Sequence, residues 1–428
     1  MSIKNFNQLA TTVLRKQALL VLEAGLSAID TGSAVQSQVR YDEKKAELHI
    51  AGSAYSLKKI QRIVVVGFGK AAYDAVTALY KIVGSRIACG FVLDLKGGSQ
   101  GSLTCTIGSH PFPTHVNVAA TKQIVEVVTS LTENDLLICV VSGGGSSLLC
   151  YPYELTCEAE TKIVQSLMRA GADIHELNTV RKHISMVKGG QLAQAAYPAQ
   201  VVNLVFSDVP GDDMGMVASG PTIKDTTTAH DAAAILAKYN VLNVCNMPSC
   251  NLRETPKDEK YFERVSSHMI VSASKALYAM QTKAHDLGLS PRIYKEAYMG
   301  HAHDLAREFL DEVQPGQCLL AAGESTVELG ANSGAGGRNL EMALAALSLV
   351  GEKRVLLAID SDGYDNTSFA GAIVDSNTVT NAKRLGLNVQ AELNSHNSYL
   401  FFEAVGDYVE TGLTGANVAD LVVVLSEK

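Results

Sequence analysis

Residues 62–72 read RIVVVGFGKAA, and residues 136–147 read LLICVVSGGGSS. In both, an unbroken apolar run ends in glycines. Continuous Val, Ile and Leu runs of this length suit strands covered on both faces, which occur in parallel sheets flanked by helices. Glycine loses the most conformational freedom on folding, so three in a row at a strand end require a reason. Either the turn is tight, or the backbone there must approach a ligand. The same unit recurs: IACGFVL (87–93) ends at Asp94, and VVNLVFSDV (201–209) follows a helix-forming stretch. It returns in HMIVSAS (268–274), CLLAAGEST (318–326), VLLAIDSDG (355–363) and LVVVL (421–425). The expected fold class is α/β, a mostly parallel sheet with helices on both faces and ligands beyond the carboxyl ends of its strands.

At 428 residues the chain is too long for one core, which predicts two domains. The stretch VLNVCNMPSCNLRETPKDEKYF (241–262) is polar, carries two prolines and has no clear period, placing the boundary near residue 240, with domains 1–240 and 241–428. Net charge is 36 − 44 = −8 without a lysine or arginine run, which disfavours a nucleic-acid partner. The longest apolar stretches are about ten residues, against the roughly 20 that a membrane helix needs. The first 30 residues carry Arg15, Lys16, Glu23 and Asp30 and lack a signal-peptide core, so they read as a surface helix packed on its own domain. Eight cysteines without a CxxC pair read as small buried hydrophobes of a reducing, cytoplasmic compartment. The expected partner is a small-molecule substrate, with the chain a monomer or homodimer.

Six polar, glycine-rich loops carry the candidate chemistry. Gly67-x-Gly69-x-x-Ala72 after a strand fits a loose dinucleotide fingerprint, with Asp94 where a ribose-binding acid would be sought. Lys70 at that helix start suits a substrate anion or a transferring phosphoryl group instead, though the loop lacks the Walker A spacing. Ser142, Gly143, Gly144, Gly145 and Ser146 read as a phosphate nest or a turn; a serine nucleophile is disfavoured because G-x-S-x-G is absent. In LNTVRKHISMVKGGQLA (177–193), helical spacing puts Arg181, Ser185 and Lys188 on one face, either solvated or an anion clamp. Asp208, Asp212 and Asp213 end a strand where Mg²⁺ or a catalytic base would sit. Glu324 precedes a glycine-rich loop leading to Arg338 and Asn339, and Asp360 opens DSDGYDN, a poor match to an EF-hand. His301 and His303 read as an exposed helix start rather than a metal pair. The set describes an anion site closed by two domains. Spread cations with Mg²⁺ suit phosphoryl transfer better than hydride transfer.

VVGFGKAA, GSHPFP, VSGGGSSLL, LNTVRKHISMVKGGQLA, SDVPGDDMGMVASGPT, GESTVELG followed by GAGGRNLE, SYLFF and TGLTGANVADL occur in this order and resemble the glycerate 2-kinase family, whose carboxyl-terminal part is the MOFRL domain. The resemblance runs from about residue 10 to 425. It implies a Rossmann-like domain plus a second, smaller α/β domain, and ATP- and Mg²⁺-dependent phosphorylation of D-glycerate to 2-phosphoglycerate. By motif, the family's functional lysine and arginine fall on Lys70 and Arg338. Asp208 is the expected base or metal-linked acid, with Asp212 and Asp360 as further metal ligands. The nest, Lys188, Glu324 and Asn339 are expected to contact the nucleotide. The chain departs from the family pattern at Thr114, His301, His303, Leu340, Asn366, Asn397 and Leu413, which points to a related sugar acid as an alternative acceptor. Two other readings stay open: an NAD(P)H-dependent hydroxypyruvate reductase, and a non-catalytic sugar-acid-binding relative.

Overall fold

A computed structural model of the chain describes residues 2–209, 211–329 and 333–428; Pro210 of the SDVPGDD loop and residues 330–332 of the GANSGAGG loop lie outside the described residues. The chain divides into two compact units. One comprises Ala34–Ser207 and Asp213–Ile270; the other comprises Met1–Ser33, Asp208–Asp212 and Val271–Lys428.

The first unit opens with an antiparallel meander of β1 (Val39–Asp42), β2 (Glu47–Ile50) and β3 (Ser53–Ser56). Its main sheet contains β4 (Arg62–Phe68), β5 (Ile87–Asp94), β6 (Gly98–Gln100), β7 (Leu103–Ile107), β8 (Asp135–Ser142), β9 (Gln200–Phe206) and β10 (Val265–Val271), in the order β10-β9-β8-β4-β5-β7-β6. Strands β9, β8, β4, β5 and β7 run parallel, with β6 antiparallel at the edge. All eight residues of β8 are buried, which is why its sequence is uninterruptedly apolar up to Ser142. The order reverses between β4 and β8, and the loops after those two strands therefore leave the sheet side by side.

The second unit has a six-stranded sheet of β11 (Ser290–His301), β12 (Gln317–Thr326), β13 (Arg354–Asp360), β14 (Gly371–Val374), β15 (Tyr408–Val409) and β16 (Asp420–Ser426), ordered β11-β12-β16-β13-β14-β15. Only β11 and β12 pair in parallel. The last strand, β16, inserts antiparallel between β12 and β13. The resumed strand–helix alternation of the sequence therefore yields a mixed sheet here. Strand order is a long-range property that periodicity does not carry.

Two expectations shift. The N-terminal helix Val13–Ile29 is not a surface helix of the first unit. It packs in the second, against β16, β13 and the helix Ala273–Asp286. Gly25 makes that packing close, since a Cβ there would lie 2.7 Å from Met280 Cγ. Arg15 on this helix is 1% exposed and donates to both oxygens of Asp375, both of Asp407, and Thr378 Oγ1. The polar stretch at 241–262 likewise marks no division between the units. Val241 belongs to a core with Ile163, Leu167, Val180 and Leu236, and Met247 and Leu252 pack on it. The segment is an excursion that returns to its own unit before β10. Four of the eight cysteines (Cys139, Cys150, Cys157, Cys318) are buried, and none is in a disulfide. Among the described residues no single helix is long and apolar enough to cross a membrane.

Candidate functional site

The reversal of strand order brings GFGKAA and SGGGSS together. The Lys70 amide donates to Gly143 O at 2.9 Å, and the Ala71 amide donates to Ser142 Oγ at 3.1 Å. Gly69 has φ +116°, and a Cβ on it would stand 2.1 Å from Ser142 Oγ. This glycine is therefore required by close approach of the two loops. Gly144 (φ +75°) leads into the single turn Gly145–Leu148, which has no side-chain cap. Ser146 shares a 3.0 Å hydrogen bond with Ser219, and Ser219 donates to Asn178. Ser142 is buried and its hydroxyl closes the two loops, so it is a clasp rather than a ligand contact.

The GFGKAA loop is not an open nest. The amides of Gly69, Lys70, Ala71 and Ala72 all have protein acceptors. The amide of Tyr73, in the first turn of the helix Ala72–Val83, donates to Asp94 Oδ2 at 2.8 Å. Asp94 also accepts from the amides of Leu95 and Lys96 and is 1% exposed. Burial pushes its carboxyl above the usual range, against those three amides. A carboxylate of the protein's own thus complements this helix start. Lys70 itself is only partly buried, and its ammonium makes no ion pair or hydrogen bond among the described residues. Gly144 and His110 flank its stem, and the His110 imidazole is held below its usual pKa by burial and by Lys70.

The 177–193 cluster does not form the expected cationic face. The helix Ile174–His183 ends before Ser185. Lys188 is wholly buried and pairs with Glu160 at 2.8 Å, while Lys182 pairs with Asp225 at 3.0 Å. The chain buries these cations because each has a buried carboxylate to neutralise it. Lys188 is accordingly withdrawn as a nucleotide contact. Arg181 lies close enough to Glu160 for that carboxylate to favour its charge, although burial lowers its pKa.

In the second unit, a cavity of about 570 Å³ is lined by Gly336, Gly337, Arg338, Glu341, Asp360 and His396, among others. Arg338 opens the helix Arg338–Ala346 and bonds three carboxylates: Glu324 at 2.6 Å, Asp360 at 3.1 Å and Asp420 at 2.9 Å. Burial, with repulsion from Asp420 and Asp362, pushes the Asp360 carboxyl up to about 8. Asp365 is pushed up to about 7, chiefly by burial, and caps the same helix by accepting from the amides of Asn339 and Leu340. Asn339 is fully buried, and its side-chain amide donates to Asp365 and Asp420. It organises the acids and is not presented to a nucleotide. Loop 334–337 is glycine-rich for a steric reason: a Cβ on Gly336 would meet Ser398 Oγ at 2.1 Å, and one on Gly337 would meet Asp365 O at 1.9 Å.

Asp208, Asp212 and Asp360 do not gather as a metal centre; among the described residues no three His, Cys, Asp or Glu do. Asp212 has left-handed backbone (φ 56°), leaves Oδ1 buried without a partner, and its charge acts on Lys275. His301 and His303 do start a helix, Ala302–Glu312, and both are about half exposed. A feature that sequence reading missed is a carboxylate shared by two histidines. His303 Nε2 and His396 Nδ1 each lie 3.0 Å from one oxygen of buried Glu341. Those residues are 38 and 55 positions from Glu341, and no local spacing signals the cluster.

One unit of this α/β chain thus has, at its switch point, a lysine without a partner among the described residues, and the other unit has an arginine–carboxylate cavity. Comparison with known proteins gives the family. A family model described as a domain of unknown function (DUF4147) matches residues 17–252, and the MOFRL family model matches residues 317–420. The chain is 35% identical to D-glycerate 2-kinase of Thermotoga maritima, covering 85% of this chain and 90% of that one. It is 31% identical to glycerate 2-kinase of Pyrococcus horikoshii, covering 96% and 97%. It is also 38% identical to a protein of Agrobacterium vitis named putative hydroxypyruvate reductase, covering 85% and 87%. A crystal structure of glycerate kinase from Thermotoga maritima superposes with a TM-score of 0.83 at 31% identity, covering 96% and 99%. The chain belongs to the glycerate 2-kinase (MOFRL) family, and it is a kinase.

Proposed function

We propose that the chain transfers the γ-phosphoryl group of ATP to D-glycerate, or to a closely related sugar acid, giving the 2-phosphate. The observation that carries this over hydride transfer is the contrast between Asp94 and Lys70. Asp94, the acid a dinucleotide ribose would need, is spent on three backbone amides, while Lys70 has no protein partner among the described residues. An unpaired ammonium among close-packed glycines suits a phosphate, and phosphoryl transfer depends on fixed positive charge more than on covalent help. In the second unit's cavity, Arg338 offers a cation to an acceptor carboxylate. An anion docking on it takes over hydrogen bonds now made to Asp360 and Glu324. Mg²⁺ usually arrives with the nucleotide and needs one or two protein carboxylates. Asp360 fits that role, since it lines the cavity and its ionised form is opposed by Asp420 and Asp362, a repulsion that a cation relieves. When bound, the metal would neutralise charge on the transferring phosphate.

Ligand-induced thermal shifts test the reading. Mg²⁺·ATP at 100 times its dissociation constant stabilises the folded state by about 2.7 kcal/mol. The expected result is a shift with Mg²⁺·ATP, none with NADH or NADPH, and a smaller shift in Lys70→Ala. A shift with NADH and none with ATP overturns it.

A further inference from the structure

We infer that His396 is the proton acceptor for the acceptor hydroxyl, held in position by Glu341 and His303. The inference rests on the phosphoryl-transfer reading and concerns a residue that neither the motifs nor that reading uses. His396 lines the 570 Å³ cavity that contains Arg338, and it also lines an adjoining cavity of about 320 Å³ with His301, His303, Asp304 and Thr326. It is the side chain, with Val327, that the two cavities share. The backbone fixes it there. His396 has φ +50°, and the Gly334 amide donates to Ser395 O at 2.7 Å, tying the histidine's loop to the glycine-rich wall.

The hydrogen bonds settle which ring nitrogen is available. Glu341 is 1% exposed, and one of its oxygens lies 3.0 Å from both His396 Nδ1 and His303 Nε2. A carboxylate can only accept, so both of those nitrogens carry hydrogens. The neutral His396 ring then keeps its lone pair on Nε2, which has no protein partner among the described residues. A carboxylate that orients an imidazole and leaves the far nitrogen basic is the arrangement general-base catalysis requires. Facing His396 are Glu341 and Arg338 on one helix, and His303 and Asp304 on another. His301 and Glu328 stand at strand ends, with Asp360 and Asp365 across the larger cavity. Among the described residues, Glu341 is the one carboxylate that pairs with the ring.

The step balances as follows. The acceptor oxygen forms a bond to the γ-phosphorus, and the bond from that phosphorus to the bridging oxygen breaks, its electron pair leaving with ADP. The hydroxyl proton passes to His396 Nε2 and then to solvent. His303 and Glu341 are positioning residues.

The test is kcat and acceptor KM in wild type, His396→Gln and Glu341→Gln, with exposed His230→Gln from the other unit as control. General-base contributions are typically 10²–10⁴-fold. His396→Gln is expected to lower kcat by about 10²-fold or more with little change in acceptor KM. Glu341→Gln should lower kcat at little changed acceptor KM, since the ring loses the carboxylate that orients it, and His230→Gln should leave both constants unchanged. Wild-type turnover separates the two possible failures. If the wild type transfers no phosphoryl group, the phosphoryl-transfer reading fails. If it does, but His396→Gln keeps its kcat, or raises KM alone, the assignment of His396 is overturned.

Discussion

Replacing Lys188 by methionine distinguishes a structural cation from a ligand contact. Its ammonium is wholly buried, 2.8 Å from Glu160, whose other oxygen accepts from the Cys150 thiol at 3.4 Å. Methionine keeps most of the volume and removes the charge, leaving Glu160 buried with one weak donor. Breaking a buried pair by deleting one partner costs about 3–5 kcal/mol. Arg181 already interacts with Glu160, and its reorientation should place the loss near the lower end. For a unit of this size each kcal/mol moves the midpoint roughly 2–4 °C, so a drop of at least about 6 °C is expected by calorimetry. Glu160→Gln added to Lys188→Met should recover most of it, because the stranded charge is gone. Nucleotide KM in the single variant should stay within about threefold when assayed well below its midpoint. An unchanged midpoint together with a KM raised tenfold or more would refute the argument and restore Lys188 to the nucleotide site.

Three further outcomes follow from the same physical reasoning. Arg15→Leu strands buried Asp375 and Asp407, so the second unit should lose on the order of 3–5 kcal/mol, with the segment preceding residue 34 becoming protease-sensitive under native conditions. Asp360, held up to about 8, costs no stability near pH 4 and costs more as pH rises towards 8, so Asp360→Asn should match wild type at pH 4 and exceed it by up to about 5 kcal/mol at pH 9 in urea unfolding. Gly69→Ala must displace Ser142 and should cost more than about 2 kcal/mol, whereas Gly52→Ala, with φ +87° and nothing within 4 Å, should cost about 1 kcal/mol.

What the sequence made legible is what local pattern controls. Apolar runs mark buried strands, and glycine clusters mark places where loops touch; Gly69 against Ser142 and Gly336 against Ser398 bear this out sterically. The pairing of GFGKAA with SGGGSS needed strand order, which local pattern leaves open. Charged residues were the poorest guide, because a lysine or aspartate looks alike in solvent, in a buried pair or in a helix cap. Lys188 and, among the uncharged polar residues, Asn339 were expected at the nucleotide, and each is committed to a buried carboxylate at least 20 residues away. The helix Val13–Ile29 looked like a surface element because its arginine implied water, whereas Asp375 and Asp407 receive that arginine inside.

The central claim is phosphoryl transfer to a small hydroxy acid, and phosphorus NMR of one reaction mixture tests it most directly. Purified protein with ATP, Mg²⁺ and D-glycerate should release ADP in step with a new phosphate monoester on the 2-hydroxyl, and Lys70→Ala should slow both by about 10²-fold. Oxidation of NADH by the same preparation with hydroxypyruvate, without ADP or monoester from any sugar acid offered, would contradict the account.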